Sequence, residues 1–371
     1  MKRLEIPKPK DPMVVRTFDT IPSPPEGGVV IKTAFCGICH SDLHFVDDEW
    51  IIGNHDKITC EEMNPRLQYP LVLGHEISGI VHAIDGDEKD DLKVGDRVIV
   101  YPWLACNNCD FCATDFPNFC YGPSYSIGCS GSNGGYAQYV TVPKKSFVLK
   151  IPDTIPLDIA CMLPCSTLTG YNAVTKVKST IEKFIKLQGE ATLLIIGTGG
   201  LGLWCLQTAR ASLPKGTRII CADINQSKLD NAIAHGADDC VLWDRSLSKD
   251  DIIKLTKEKG NNGSIHGVID FVNSSTTASQ AMECLCKGGA IALVGLFGGT
   301  VELSLPLFAF SLHEIYGIAI GSINQLRELI DLVANTKLIP PDITHVSLEE
   351  APDSLIKLKK GQIAGRSLIK F

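Results

Sequence analysis

The densest set of chemically competent residues in this chain is Cys106-x2-Cys109-x2-Cys112-x7-Cys120, four thiols within fifteen residues. Four thiolates complete a tetrahedral zinc shell and leave no open position, so a metal held there would be structural. An iron–sulfur cluster is the rival occupant of a CxxCxxC run. Ferredoxin spacings, however, end in x3-Cys-Pro or carry the last cysteine far away, and x7 fits neither well. Reduced bystander thiols are the third reading. Three further segments carry metal-type residues: Cys36-Gly37-Ile38-Cys39-His40-Ser41-Asp42-Leu43-His44, Gly74-His75-Glu76, and Leu163-Pro164-Cys165-Ser166-Thr167-Leu168-Thr169-Gly170. Taken singly, Cys165 reads as a small buried hydrophobe and His75 as a core histidine.

A different chemistry is written in Gly197-Thr198-Gly199-Gly200-Leu201-Gly202, a G-x-G-x-x-G run directly after the apolar stretch Leu193–Ile196. The first glycine permits a tight turn, Gly199 lets backbone approach a pyrophosphate, and Gly202 allows close helix–strand packing; the helix start adds oriented N–H donors. Asp223 follows 21 residues after Gly202, at the end of the next strand pattern. A carboxylate there accepts from the ribose hydroxyls of a dinucleotide. It also disfavours a 2′-phosphate by roughly 1–4 kcal/mol at about 4 Å, so NAD is expected over NADP. Asn225 and Lys228 are near enough in sequence to join the ribose site, or to be simply solvated.

The elements that must position these groups change character along the chain. Up to about residue 160, short β-type runs such as GGVVIKTAF, SGIVHAI, DRVIVYPW and GGYAQYVTV are punctuated by Pro and Gly, which predicts a mostly β, barrel-like domain with long loops. From about Leu168, apolar strands alternate with helical patterns, the signature of an α/β fold with a doubly wound parallel sheet. The helix pattern INQLRELIDLVANT and the β-like RSLIKF follow, and this tail is expected to return to the first domain.

Composition narrows the function. Charged residues make up 21% of 371, hydrophobic residues 44%, and the formal net charge is −7. That balance fits a folded chain and argues against non-specific nucleic-acid or anionic-membrane binding. A zinc-finger role for the four-cysteine loop fails on the same ground, because Val98 to Pro143 contains no Lys or Arg to neutralise phosphate. No run of 18 apolar residues and no signal-peptide pattern is present, so a cytoplasmic protein is expected, with neither membrane nor nucleic-acid partners. Fifteen cysteines, an odd number, are too few for a disulfide scaffold. Cys36, Cys129, Cys161, Cys221, Cys284 and Cys286 are expected in the core.

In order and over essentially its full length, the set CGICHSDLH, GHE, the four-cysteine loop and GTGGLG followed by Asp resembles the zinc-dependent medium-chain alcohol dehydrogenases. The resemblance implies a GroES-like barrel catalytic domain (1–167 and 321–371) around a Rossmann domain (168–320). It also implies two Zn2+ per chain, one catalytic on Cys39, His75 and Cys165 and one structural on Cys106, Cys109, Cys112 and Cys120. Glu76 is then a group behind the metal, Asp42 orients His75, and Ser41 passes the alcohol proton by way of the nicotinamide ribose to His44. His40 and Arg366 match phosphate contacts, Thr169 a residue packed against the nicotinamide, and Val294 and Lys228 further cofactor contacts.

The implied reaction is hydride transfer between NAD and an alcohol/aldehyde pair. A secondary-alcohol or polyol dehydrogenase on the same machinery is the near alternative; a retired structural protein and a zinc-free quinone reductase are disfavoured by the intact residue set. Trp50 and Trp103 are candidate walls of the alcohol pocket. The stretch between His44 and His75 is about a dozen residues longer than the usual form, which places it at the cleft mouth, at an oligomer contact, or in solvent. A homo-oligomer is expected, dimer or tetramer, with VELSLPLFAFSL as a candidate interface edge.

Overall fold

The computed structural model describes all residues except His55, 87–91, Asn107, Asp115, 123–124 and Ser130. Its six-stranded sheet runs Asp239–Leu242, Thr217–Asp223, Ala191–Ile196, Ile265–Asp270, Leu285–Leu293, Glu314–Gly317, every neighbour parallel. Ala191–Ile196 and Ile265–Asp270 are buried at every residue. Such continuous apolar runs form central strands because helices cover both faces. Two apolar clusters do so here, one around Ile195, Leu206 and Ile219, the other around Leu194, Ile220 and Ile291. Chain order reverses direction between Ala191–Ile196 and Ile265–Asp270, the switch point outside whose carboxyl ends open parallel sheets of this kind take their ligands.

The other large sheet is mainly antiparallel, in the order Val148–Lys150, Arg97–Val100, Glu76–Ile84, Val29–Gly37, Arg366–Lys370, Ile343–Val346, with Tyr139–Val142 also on Val29–Gly37. The last strand pairs Leu368 with Gly37, and on its other edge Gly37 pairs with Glu76. Glycine is required at that point: a Cβ on Gly37 would lie 1.9 Å from Glu76 Oε2. The chain's final strand and the start of the strand that follows His75 therefore flank Gly37 from opposite sides.

The amphipathic helix Ile323–Asn335 opens with a Ser322/Gln325 capping box and turns Ile323, Leu326, Leu329 and Ile330 into the core of this unit. The 21-residue helix Leu168–Gln188 runs alongside the parallel sheet and ends at Gly189, whose φ of 81° suits a left-handed C-cap. One turn earlier, Leu163–Thr167 is π-helical, with Pro164 in its first turn. Among the described residues no helix is long and apolar enough to cross a membrane.

A small cluster of Cys161, Met162, Trp204 and Leu368 joins the π-turn, the helix after the glycine turn and the last strand. Trp204 is 1% exposed and its indole N–H points at Met162 Sδ, 3.5 Å away. Trp204→Ala is expected to cost about 3–5 kcal/mol, read as a lowered melting temperature. A loss below about 1 kcal/mol would show that this junction does not hold the units together.

Candidate active site

The four cysteines of the loop come together around the short helix Asp110–Ala113. Their sulfurs lie within 4.8 Å of one another, with Cys106–Cys112 at 3.8 Å, Cys109–Cys112 at 3.5 Å and Cys109–Cys120 at 3.9 Å. Thiolates about 2.3 Å from a shared centre in a tetrahedron stand about 3.8 Å apart, so the set fits a closed zinc site, whereas all fifteen cysteines are free of disulfides. Cys120 Sγ accepts from the Gly122 N–H at 3.3 Å and the Cys106 N–H at 3.5 Å. Backbone N–H donation, first from Asn108, pushes the Cys106 thiol down to about 6.

The second cluster is assembled from three distant segments. Cys39 ends the turn after Val29–Gly37 and is the N-cap of helix His40–Asp47; His75 immediately precedes strand Glu76–Ile84; Cys165 sits on the π-turn. Their donor atoms lie within 4.8 Å of one another. π-turns distort a helix locally and recur at functional sites, and here one carries a thiol to the cluster. Two thiols and an imidazole are the donor set of a three-ligand catalytic zinc site.

Asp42 does more than face His75. One carboxylate oxygen accepts from the Cys39 N–H (2.9 Å), closing the helix cap, and from Tyr136 Oη (2.9 Å). The other stands 3.4 Å from His75 Nδ1. Cys129, expected in the core, is instead half-buried with its sulfur 3.5 Å from the same nitrogen. The glycine-bounded loop around it folds onto His75, where a Cβ on Gly128 would lie 2.3 Å from Gly74 O. Cys286 is half-buried as well, while Cys36, Cys161, Cys221 and Cys284 are buried. The sequence assigns neither Tyr136 nor Cys129 a role in the site, because GGYAQYV reads only as a strand and Cys129 only as a core residue.

Charge is distributed unevenly in this cluster. Cys165 shares its hydrogen with Cys39, which lowers the Cys39 thiol well below its usual range and raises Cys165 well above it. Burial alone would lower His75, but Cys129, Cys165 and Cys39, together with Asp42, raise it well above its usual value. Behind them, Glu76 and Arg366 form a buried ion pair, and Glu76 Oε1 also accepts from the Ser166 N–H at 3.2 Å. Burial raises the Glu76 carboxyl despite the opposing Arg366 charge.

On the helix that starts at Cys39, Ser41 Oγ is 3.4 Å from Cys39 Sγ. His44 Nδ1 donates to the Glu49 carbonyl at 3.1 Å, which leaves Nε2 as its proton-accepting nitrogen. Trp50 stacks on the His44 ring at 4.2 Å and meets Phe45 edge-on. One face of its indole is thus committed to His44, which the pocket-wall expectation did not foresee. Trp103 is 37% exposed on a two-residue strand next to the four-cysteine region. His40 is exposed and near enough to Lys228 to feel its charge.

The glycine turn follows the expected geometry. Gly197 has φ 88°, and a Cβ on Gly202 would lie 2.0 Å from Gly197 O, while a Cβ on Gly199 would meet nothing within 4 Å. That open side, at the start of the 13-residue helix Gly200–Ser212, fits a pyrophosphate. Asp223 accepts from the Thr198 N–H (2.9 Å), Thr198 Oγ1 (3.1 Å) and the Asn225 N–H (3.1 Å), so the carboxylate also braces the turn. Asn225 caps the next helix. The Arg366 stem lies against Gly200, where a Cβ would meet Arg366 Cδ at 2.2 Å, and its buried Nε has no hydrogen-bond partner. An unpartnered donor beside a phosphate-type turn fits an anionic group, although the guanidinium's firm partner here is Glu76. Leu201 is half-buried; Thr169 and Val294 are buried, and the Val294 N–H donates to Asp270 O at 3.0 Å.

Residues 25–153 match the alcohol dehydrogenase GroES-like domain and residues 200–335 the zinc-binding dehydrogenase domain. The chain is 30% identical over 372 residues to an NAD-dependent alcohol dehydrogenase of Sulfolobus acidocaldarius, covering 100% of this chain and 99% of that one. It is 32% identical over 351 residues to an alcohol dehydrogenase of Geobacillus stearothermophilus, covering 93% and 92%. Among solved structures, the alcohol dehydrogenase of Aeropyrum pernix superposes with a TM-score of 0.84 at 24% identity, over 100% of both chains.

Metal binding at Cys39, His75 and Cys165 must displace the protons that Cys165 and His75 hold above their usual ranges. Zinc affinity at this cluster is therefore expected to rise with pH between about 6 and 8, with protons released on loading. Competition with a chromophoric chelator at several pH values measures this, and a flat profile would refute it.

Proposed function

The chain belongs to the zinc-dependent medium-chain alcohol dehydrogenases, and from that membership we propose that it transfers a hydride between NAD and an alcohol/aldehyde pair. The observation that carries this reading is the convergence of Cys39, His75 and Cys165 within 4.8 Å, with the Ser41 hydroxyl beside Cys39 at 3.4 Å. Zinc on the trio would supply Lewis acidity that makes a substrate hydroxyl acidic, and NAD would supply the hydride acceptor.

The chain's own residues do the rest. Ser41 takes the hydroxyl proton, and His44, three residues on along the same helix, exports it through Nε2. Asp42 holds the helix start and the His75 ring together, which fixes the direction of the ligand nitrogen. Glu76 and Arg366 place a compensated charge pair behind the trio. Gly197, Gly199, Gly200, Leu201 and Gly202 take the pyrophosphate, with Arg366 and His40 at its edge. Asp223 and Lys228 take the ribose, and Thr169 and Val294 flank the nicotinamide. The four-cysteine loop takes a second, structural zinc.

The remaining proposals concern organisation. Residues 1–167 and 321–371 act as the catalytic domain and 168–320 as the cofactor domain, in a cytoplasmic enzyme. A homo-oligomer forms through the edge strand Glu314–Gly317, whose outer side has no partner strand among the described residues. The exposed Leu296, Phe297, Leu305, Leu307, Phe310 and Leu312 support this, since so many large apolar side chains in one region mark an association surface. Trp50 and Trp103 border the alcohol pocket.

NADH formation from ethanol, benzyl alcohol, 2-propanol and sorbitol, with NAD and with NADP, tests the activity. Primary alcohols are expected to turn over fastest, with NAD favoured by about one to three decades. Faster turnover of sorbitol, or a preference for NADP, would overturn the reading. Ser41→Ala is expected to lower kcat by about 10²–10⁴-fold while NADH binding stays unchanged. An undiminished kcat would remove Ser41 from the proton path.

A further inference from the structure

The long stretch between His44 and His75 folds into a hairpin, Trp50–Ile52 against Asp56–Ile58, followed by the short helix Cys60–Met63. Its root is fastened to the relay helix. Trp50 stacks on His44, the Cys60 N–H donates to Asp48 Oδ1 at 3.0 Å, and Cys60 Sγ donates to the His44 carbonyl at 3.2 Å. Its tip reaches the other unit. Gly53 makes an antiparallel backbone bridge to Gly299, and Ile51 packs on Gly298, where a Cβ would lie 2.6 Å from Ile51 Cγ2.

At the tip, one atom gathers three donors. Asn54 Oδ1 accepts from Thr300 Oγ1 at 2.6 Å, from the Thr300 N–H at 3.1 Å and from Ser275 Oγ at 3.2 Å. The Thr300 N–H also donates to Ser275 Oγ at 2.9 Å, so Asn54, Ser275 and Thr300 form one knot across the two units. The segment it grips follows strand Leu285–Leu293 and Val294, at the carboxyl edge of the parallel sheet where a dinucleotide lies. That segment needs glycine: Gly298 and Gly299 have φ values of 95° and 124°, a backbone region that side chains rarely adopt. A cleft that must open to exchange a dinucleotide has to break the contacts that span its mouth.

We propose that Asn54 is a positioning residue whose carboxamide oxygen clasps segment 298–300 to the hairpin, so that the cofactor departs only after this clasp opens. The hairpin couples the two sites mechanically, with its root on the proton-exporting histidine and its tip on the strand-end segment beside the nicotinamide position. Both ends are held at once only when the cleft is closed. This proposal rests on the dinucleotide reading above.

Stopped-flow NADH fluorescence on the full-length, zinc-loaded enzyme tests it. Asn54→Ala is expected to release NADH about tenfold faster than the unaltered chain, as loss of one shared acceptor implies. Asn54→Asp, which keeps the accepting oxygen, should restore release to within about threefold. Thr300→Val should act like Asn54→Ala, and the double variant should be no faster than either alone, because both break one knot. In the cofactor-free chain, hydrogen exchange over 296–300 should rise in Asn54→Ala without a change in melting temperature. Release within twofold of the unaltered chain, or an Asn54→Asp variant as fast as Asn54→Ala, would overturn the clasp alone. An unaltered chain that binds no NADH would overturn the dinucleotide reading and the clasp with it.

Discussion

The arrangement depends on one buried ion pair. Glu76 and Arg366 are 290 residues apart in sequence, yet both lie in the interior, on strands that flank Val29–Gly37 on either side, and they meet across it. A carboxylate or guanidinium alone in that environment would cost several kcal/mol, and removing one partner from such a pair typically costs about 3–5 kcal/mol. Each therefore obliges the other to be there. Because the Arg366 stem also lies on Gly200, the pair sets three things relative to one another: the strand after His75, the chain's last strand and the phosphate turn. Gly37 contributes by having no side chain where Glu76 must lie.

Asp42 is the second economy in the design. By accepting from the Cys39 N–H it starts the helix, and by facing His75 it orders the metal-binding side of the cluster. Tyr136, brought in from the loop before strand Tyr139–Val142 almost a hundred residues later, completes its shell. The helix that carries Ser41 and His44 is thus registered against His75 by the same carboxylate, so the proton path and the ligand set are not independently adjustable. The hairpin then covers the far end of that helix through Trp50 and carries the connection across to the cofactor unit.

Much of this was legible in the chain itself, for stated physical reasons. The four-cysteine spacing encodes a closed site because the sulfurs are near one another in any compact loop. The glycine turn is legible because only glycine tolerates the φ of Gly197 and the approach at Gly202. The parallel sheet announced itself through fully apolar strands alternating with helices. Harder to read were groups whose role depends on a neighbour from elsewhere. Cys129 sits in a Gly- and Ser-rich loop without periodicity, and only the folding of that loop onto Gly74 brings its thiol to His75. Trp50 carries an expectation about substrate, and its stack on His44, one face of its indole, follows only from how the strand it opens is laid against the relay helix.

The sequence by itself determined the local, self-contained features: the cysteine loop, the phosphate turn, Asp223 at the end of its strand, the helix caps and the class of each sheet. These depend on residue type and short spacing, where backbone geometry and covalent reach leave few alternatives. Tertiary structure alone decided which of the buried polar groups became partners. The Cys39, His75 and Cys165 cluster, the Glu76–Arg366 pair and the Asn54–Ser275–Thr300 knot are each built from segments far apart in the chain. Their distances follow from sheet register and from the packing of two units across a crevice, and no local pattern encodes that.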